Sequence, residues 1–306
     1  VVILDSRPLV EYTKMSIPGG VDCPGAELVY RVHDLIPSPD ALVVVNCAGR
    51  TRSIIGAQSL INAGIPNRVV ALKDGTMGWH LAGFDLAHQQ TTCAPLPSQR
   101  GIAAAKEAAA RVAKRFGVRY IDVDQVAQFA REMDRRTLYL FDVRSPEEYA
   151  AGHLHSTVNA PGGQLVQTTD AFAATRNARM VLIDDHGVRA TMTASWLIQM
   201  GWQDVYVVRD ALASGPLYKG AAPLEVLGIG KSKPAFISAA QLDKEIAGGN
   251  AVVLDFETSL RYRDAHIPRA WLGIRANLAA NLAAMPRAKM LVLTSGDGIK
   301  IGRAHV

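Results

Sequence analysis

A chain of 306 residues has room for two or three compact domains, each able to bury its own core. Hydrophobic residues make up 49% and charged residues 20%, which excludes a disordered polymer, and no apolar run reaches the roughly 18 residues needed to span a bilayer. The net charge of +5 is spread without aromatic interleaving, which argues against a nucleic-acid interface and suits small anionic substrates.

The three cysteines, Cys23, Cys47 and Cys93, are too few and too scattered for a disulfide framework or a metal knuckle. Neither a metal nor another cofactor is expected, and no membrane contact. The N-terminal run Val1 to Arg7 reads as a strand and lacks the basic start and cleavage site of a signal peptide. A reducing cytoplasm is the expected location.

In chain order, the first strand ends in Leu4-Asp5-Ser6-Arg7 and leads to Glu11-Tyr12. The same plan returns as Phe141-Asp142-Val143-Arg144 with Glu148-Tyr149, and more weakly as Leu254-Asp255-Phe256-Glu257 with Tyr262. Each copy reaches a second apolar strand, at Ala41–Asn46, Met180–Asp184 and Lys289–Thr294. In the first two a helix follows, stopped by Gly64 and Gly201, and then a third strand at Arg68–Leu72 and Asp204–Val208. Short apolar strands alternating with helices predict α/β domains, each a small parallel sheet flanked by helices.

The expected organisation is a first domain at 1–88, a linker with a helix at 89–118, a second domain at 119–222, a linker at 223–234 and a third domain at 235–306. Strand-helix lead-ins precede the second and third copies, at Tyr120–Arg136 and Phe236–Gly248, but not the first. The third copy stops just after its second strand. These two observations lead to the expectation of a piece of a longer protein.

The chemistry concentrates in Val43-Val44-Val45-Asn46-Cys47-Ala48-Gly49-Arg50-Thr51-Arg52-Ser53. A strand ends at a cysteine, crosses a short basic loop and enters a helix, so the thiol faces unpaired amides at a helix N-terminus. A free thiol has a pKa near 8.5. The helix end lowers that by about one unit at most, and Arg50 and Arg52 are expected to add a comparable amount if within about 4–6 Å. Cys47 is the leading nucleophile, and Gly49 is expected to let the loop turn inward.

The order Asp-x-Arg, Glu-Tyr, Gly-His-Leu, Asn-x-Pro, then strand, cysteine loop, helix and strand resembles the rhodanese (thiosulfate sulfurtransferase) family, in its multi-repeat bacterial form. Asp74-Gly75-Thr76-Met77-Gly78-Trp79 resembles the family's Gly-Gly-x-x-x-Trp turn. The resemblance implies tandem rhodanese-like domains and sulfane sulfur carried as a persulfide on Cys47, from thiosulfate or a similar anionic donor to a thiol or cyanide acceptor. Ala48, Gly49, Arg50, Thr51, Arg52 and Ser53 are then the substrate-binding cup, with Arg7 able to reach its mouth. Met15-Ser16 replaces the family's Gly-His in the first copy.

Aligned on the acidic pair, the second copy carries Asp185 in place of Cys47, with a loop one residue shorter to Gly201. The third carries Ser295. Neither side chain accepts sulfur, so both copies are expected to be inactive. The alternatives are a non-catalytic rhodanese-like scaffold or binding module, and a cysteine phosphatase or arsenate reductase. The last two run Cys-x5-Arg, where this chain has Ser53 and places Arg52 one step early.

Other residues read as structural. Cys23 sits in a turn, Cys93 in a polar connector, and Trp79 is a packing anchor. Asp5, Asp142 and Asp255 are expected to hydrogen-bond backbone or a neighbouring arginine, His153 and His266 to make turn hydrogen bonds, and Lys106–Arg115 to face solvent along a helix.

Overall fold

The structure, a computed structural model, describes residues 1–213, 215–220 and 235–296. The expected linker at 223–234 and the end of the third copy at 297–306 lie outside the described residues. Val1–Ala222 form one compact unit and Pro223–Val306 a second.

In the first unit, the first repeat runs β1 (Val2–Asp5), α1 (Leu9–Lys14), β2 (Val21–Asp22), α2 (Leu28–Leu35), β3 (Val43–Asn46), α3 (Thr51–Asn62), β4 (Val69–Ala71) and α4 (Gly75–Leu81). After α5 (Gln99–Phe116), the second repeat runs β5 (Arg119–Ile121), α6 (Val123–Arg131), β6 (Leu138–Asp142), α7 (Pro146–Ala151), β7 (Val158–Asn159), α8 (Gly162–Gln167), α9 (Thr169–Phe172), β8 (Arg179–Ile183), α10 (Val188–Gln199) and β9 (Val205–Val208). The strand orders are β2-β1-β3-β4 and β5-β9-β8-β6-β7, and the named strands pair in parallel. Both faces of such a sheet need cover, which explains why Leu4, Val43, Val45, Met180, Val181 and Leu182 are fully buried.

Strand register fixes how the two repeats correspond. Asp5 lies opposite Asn46 on β3, and Asp142 lies opposite Ile183 on β8. Asn46 therefore matches Ile183, and Cys47 matches Asp184 rather than Asp185. The offset stays constant from Asp5 and Asp142 through Cys47 and Asp184 to Gly64 and Gly201. The loop of the second repeat is thus the same length as that of the first. The strand register corrects the expectation of Asp185 in the cysteine position and of a shorter loop: Asp184 stands there.

The repeated Asp-x-Arg is a buried brace. Arg7 donates to Asp5 through Nε at 2.8 Å and Nη2 at 2.7 Å, and to the Met15 carbonyl at 2.7 Å. Arg144 does the same with Asp142 and the Gly152 carbonyl. A tyrosine at the next turn repeats as well, donating eight residues ahead: Tyr12 to Gly20, Tyr149 to Thr157, Tyr262 to Ala270. His153 and His266 stack on Tyr149 and Tyr262 and bond their carbonyls.

Helix α5 differs from a free linker. Ser98 caps it by accepting from the Gly101 amide, Gly117 ends it at φ +68°, and the alanines between favour helix. Its charged residues from Lys106 to Arg115 face solvent. Ala105, Ala108, Ala109 and Val112, however, are buried in one core with Leu28 and Val32 of α2 and Val188 and Met192 of α10. Arg111 and Arg115 reach back to the Ala63 carbonyl and Asn62 at the end of α3.

The two repeats also meet directly. Gly25 and Ala26 pack against Gly163 and Gly162, matched positions exchanged across the joint, as a local two-fold relation requires. Trp196 Nε1 donates to Ser59 Oγ at 2.8 Å, and these are themselves matched residues. Arg189, wholly buried, donates to Glu27 of the first repeat at 2.7 Å.

The second unit contains α11 (Ala239–Ala247), β10 (Ala251–Asp255), α12 (Ser259–Asp264), β11 (Trp271–Leu272), α13 (Leu278–Ala284) and β12 (Met290–Thr294). Its parallel sheet has the order β11-β10-β12, around Leu242, Ala251, Val253 and Ala270. Asp255 pairs in register with Thr294, which puts Ser295 where the first repeat has Cys47.

Candidate active site

Parallel strands end together, so the two central strands β1 and β3 deliver Asp5 and Asn46 side by side at the C-terminal end of the sheet. Asn46 Nδ2 donates to Asp5 Oδ2 and to Thr76 Oγ1, both at 3.0 Å. Thr76 in turn donates to the Cys47 carbonyl, through its amide at 2.8 Å and its hydroxyl at 3.1 Å. The Met77 amide takes the Ala48 carbonyl at 3.0 Å. The first turn of α4 thus holds the Cys47 and Ala48 carbonyls.

Gly75 makes this docking possible. It sits at φ +58°, and a Cβ there would meet the Cys47 carbonyl at 2.3 Å and Gly49 backbone atoms at 2.7 and 2.8 Å. Gly49 has no such constraint, because a Cβ on it would meet nothing within 4 Å. The close approach expected at Gly49 is therefore supplied from the opposite side, by Gly75.

With the carbonyls taken, the amides from Ala48 to Ser53 donate to no backbone carbonyl among the described residues; the first that does is Ile54, to Arg50 at 3.2 Å. Cys47 lies at the floor of this loop, 2% exposed, with Sγ 3.4 Å from Ser53 Oγ. Ser53 Oγ donates to the Arg50 carbonyl at 2.9 Å. The thiol points at the start of α3 and not into the hydrocarbon core.

The arginines divide their work. Arg50 and Thr51 are exposed at the rim. Arg52 is clamped by Glu11 of α1, with Nη1 and Nη2 each 2.7 Å from a carboxylate oxygen. This hydrogen bond raises the pKa of Arg52 and lowers that of Glu11. The charge of Arg52 lies within electrostatic reach of Cys47, with one hydrogen bond from each of its terminal nitrogens committed to Glu11, while Arg50 stands exposed at the rim. Arg7, expected at the mouth, is 1% exposed, with Nε and Nη2 committed to Asp5 and Met15. It braces the site from behind.

Glu11, Asn46, Gly75 and Thr76 were the residues a reading of the loop alone overlooks. Glu11 carries a detectable signal, since Glu11 and Arg52 recur as Glu148 and Arg189 at the same offset. Arg189 donates to Glu148 at 2.6 and 3.0 Å. Burial pulls the Glu148 carboxyl up, but hydrogen bonding and charge from Arg189 bring it down to about 2.

The second repeat fills its loop with a carboxylate. Asp184 Oδ1 accepts from the Gly187 amide at 2.6 Å, and Oδ2 from the Arg189 and Ala190 amides at 2.9 and 3.3 Å. Arg189 is also surrounded by more carboxylates than Arg52, adding Glu27 and Asp185 to Glu148.

The remaining cysteines stand apart. Cys23 is fully buried, and burial pushes its thiol well above the usual range. Cys93 is exposed, with Sγ 3.9 Å from Asp22 Oδ2. Trp79 packs on Phe84 and donates to the Asp85 carbonyl at 2.8 Å. Among the described residues, no cluster of metal-ligating side chains occurs and no helix is long and apolar enough to cross a membrane.

A parallel α/β sheet that ends in one cysteine beside amides without backbone partners defines a class of fold, the cysteine-loop α/β domain. The chain belongs to the rhodanese family: the model of the rhodanese-like domain matches residues 1–82 and 125–214. A crystal structure of thiosulfate sulfurtransferase from Pseudomonas aeruginosa is similar over 99% of the chain, at 49% identity and a TM-score of 0.91. The chain spans 57% of the length of that protein. Thiosulfate sulfurtransferase GlpE of Pseudomonas paraeruginosa is 30% identical over 77 residues, which is 25% of this chain and 68% of the relative. GlpE of Pseudoalteromonas translucida is 26% identical over 85 residues, 26% of this chain and 75% of the relative.

Proposed function

We propose that the first repeat is a sulfurtransferase site working through Cys47. The Cys47 thiolate attacks the outer sulfur of thiosulfate or a similar anionic donor. The donor's sulfur–sulfur bond breaks and sulfite leaves with its electron pair, so that Cys47 holds a persulfide. The amides of the loop from Ala48 to Ser53 stabilise the negative terminal sulfur. Cyanide or a thiol then attacks that sulfur, and the electron pair of the broken bond returns to Cys47.

The observation that carries this reading is the loop itself: its Cys47 and Ala48 carbonyls are held by Thr76 and Met77, its amides have no backbone acceptor, and Cys47 lies at its floor. Likeness to a thiosulfate sulfurtransferase at 49% identity supports it. Arg50 serves the donor's charge, while Arg52 holds the loop's shape through Glu11. The phosphatase or arsenate reductase alternative has no such support. It needs a free arginine six residues after the cysteine, and that position is Ser53.

The second repeat and the third, rhodanese-like at 235–306, are silent in this proposal, because Asp184 and Ser295 stand where a thiol is needed. Their contribution is as scaffold. Cysteines without disulfide partners suit a reducing compartment such as the cytoplasm.

Incubation with thiosulfate followed by mass spectrometry of the Cys47 peptide tests the reading. The gain of one cyanide-removable sulfur is expected. Hydrolysis of an aryl phosphate without any sulfur uptake would replace it with the phosphatase account.

A further inference from the structure

We propose that the second repeat's loop is an occupied anion site whose ligand is the chain's own Asp184, and that a small free carboxylate takes its place when that side chain is removed. The inference borrows from the proposed function only the idea that this loop is an anion cup. Its test does not depend on Cys47 chemistry.

Asp184 is not an ordinary helix cap. The residue in the capping position of α10 is Gly187, at φ +73° and without a side chain. Asp184 reaches in from the end of β8, three residues earlier, from the position that Cys47 occupies in the first repeat. Its carboxylate is 2% exposed and takes three amides across both oxygens. By register those amides match Arg50, Arg52 and Ser53, which donate to no backbone acceptor in the first repeat.

The charge of Arg189 acts on Asp184 through space, but its hydrogen bonds do not account for the arrangement. The one guanidinium at hand, Arg189, directs Nη1 and Nη2 to Glu27, Glu148 and Asp185 and none of them to Asp184. Its Nε is buried without a partner, so an unsatisfied cationic donor adjoins the same loop. A buried carboxylate held by amides alone, next to an unpaired N–H, is what an anion cup with a bound ligand looks like. The ligand is tethered, which closes the second loop to outside anions and keeps α10, with Arg189 on it, in place against Glu27.

The test removes the tether. In the whole chain, Asp184→Gly leaves the amides unpaired and is expected to lower the unfolding midpoint by about 5 °C. Sodium formate is expected to recover most of that loss, sodium chloride at equal ionic strength none of it, and wild type to respond to neither. Equal midpoints in formate and chloride, or the same formate gain in wild type, would overturn the proposal. If the glycine variant does not fold, Asp184→Asn decides. It keeps an acceptor without the charge and is expected to fold with a lowered midpoint, whereas wild-type stability in that variant would show that no anion is needed there.

Discussion

Glu11 holds both terminal nitrogens of Arg52 at 2.7 Å, so a carboxylate of α1 sets the geometry of the cysteine loop that opens α3. The bidentate fork fixes direction as well as distance. Glu11→Gln removes the charge and one accepting oxygen. In the cyanide–thiosulfate assay it is expected to lower kcat/KM about tenfold, or ~1.4 kcal/mol of transition-state stabilisation. Because the pair is partly exposed, the unfolding midpoint should move little. A large stability loss with unchanged activity would assign the pair to the fold alone.

Gly75 backs the loop so closely that any side chain displaces it. Gly75→Ala brings a Cβ to 2.3 Å from the Cys47 carbonyl and puts a non-glycine residue at φ +58°. A destabilisation of about 2–4 kcal/mol is expected, together with loss of sulfur uptake on Cys47. Gly49→Ala, whose Cβ meets open space, is expected to fold like wild type. Denaturant unfolding of the two variants separates them.

The residue before Gly75 carries removable strain. Asp74 stands at φ +56°, in the left-handed region that favours glycine. Asp74→Gly is expected to stabilise the first unit by about 0.5–1 kcal/mol, read as a higher denaturation midpoint at unchanged slope.

Stability should depend on pH with two opposite slopes. Burial raises Asp22 to about 7. In the interval between that value and the unfolded carboxyl range near 4, the folded state binds more protons than the unfolded one. Stability therefore rises as pH falls from about 7 toward 4. Glu148, held at about 2 by Arg189 against the effect of burial, contributes stability above the unfolded value that is lost as pH falls from about 4 to 2. A maximum in mildly acid solution follows, and Asp22→Asn should flatten the neutral limb. A maximum above pH 7 would contradict the assignment.

Much of this was legible in the residues. Alternating apolar strands and helix-stop glycines predicted the parallel sheets, because burial on both faces leaves few other patterns. Cys47 followed from a thiol between a β-branched strand and a basic helix entry. The match of Cys47 with Asp184 was not legible, since Asp184-Asp185 offers two candidates and only strand pairing chooses between them. The commitments of Arg7 and Arg52 were hidden for a related reason: charge in a sequence does not show which partner has claimed it. Helix α5 read as a linker because alanine favours helix equally in solvent and in a core, and only the neighbouring α2 and α10 decide which face is buried.

The central claim is that Cys47 carries sulfur, and the most direct measurement is the mass of the intact chain and of its Cys47 peptide after incubation with thiosulfate. The account predicts one added sulfur per chain, on Cys47, removed by cyanide as thiocyanate and absent in Cys47→Ser. A chain that stays unmodified, or one that gains sulfur equally well on Cys93 in the Cys47→Ser variant, would contradict it.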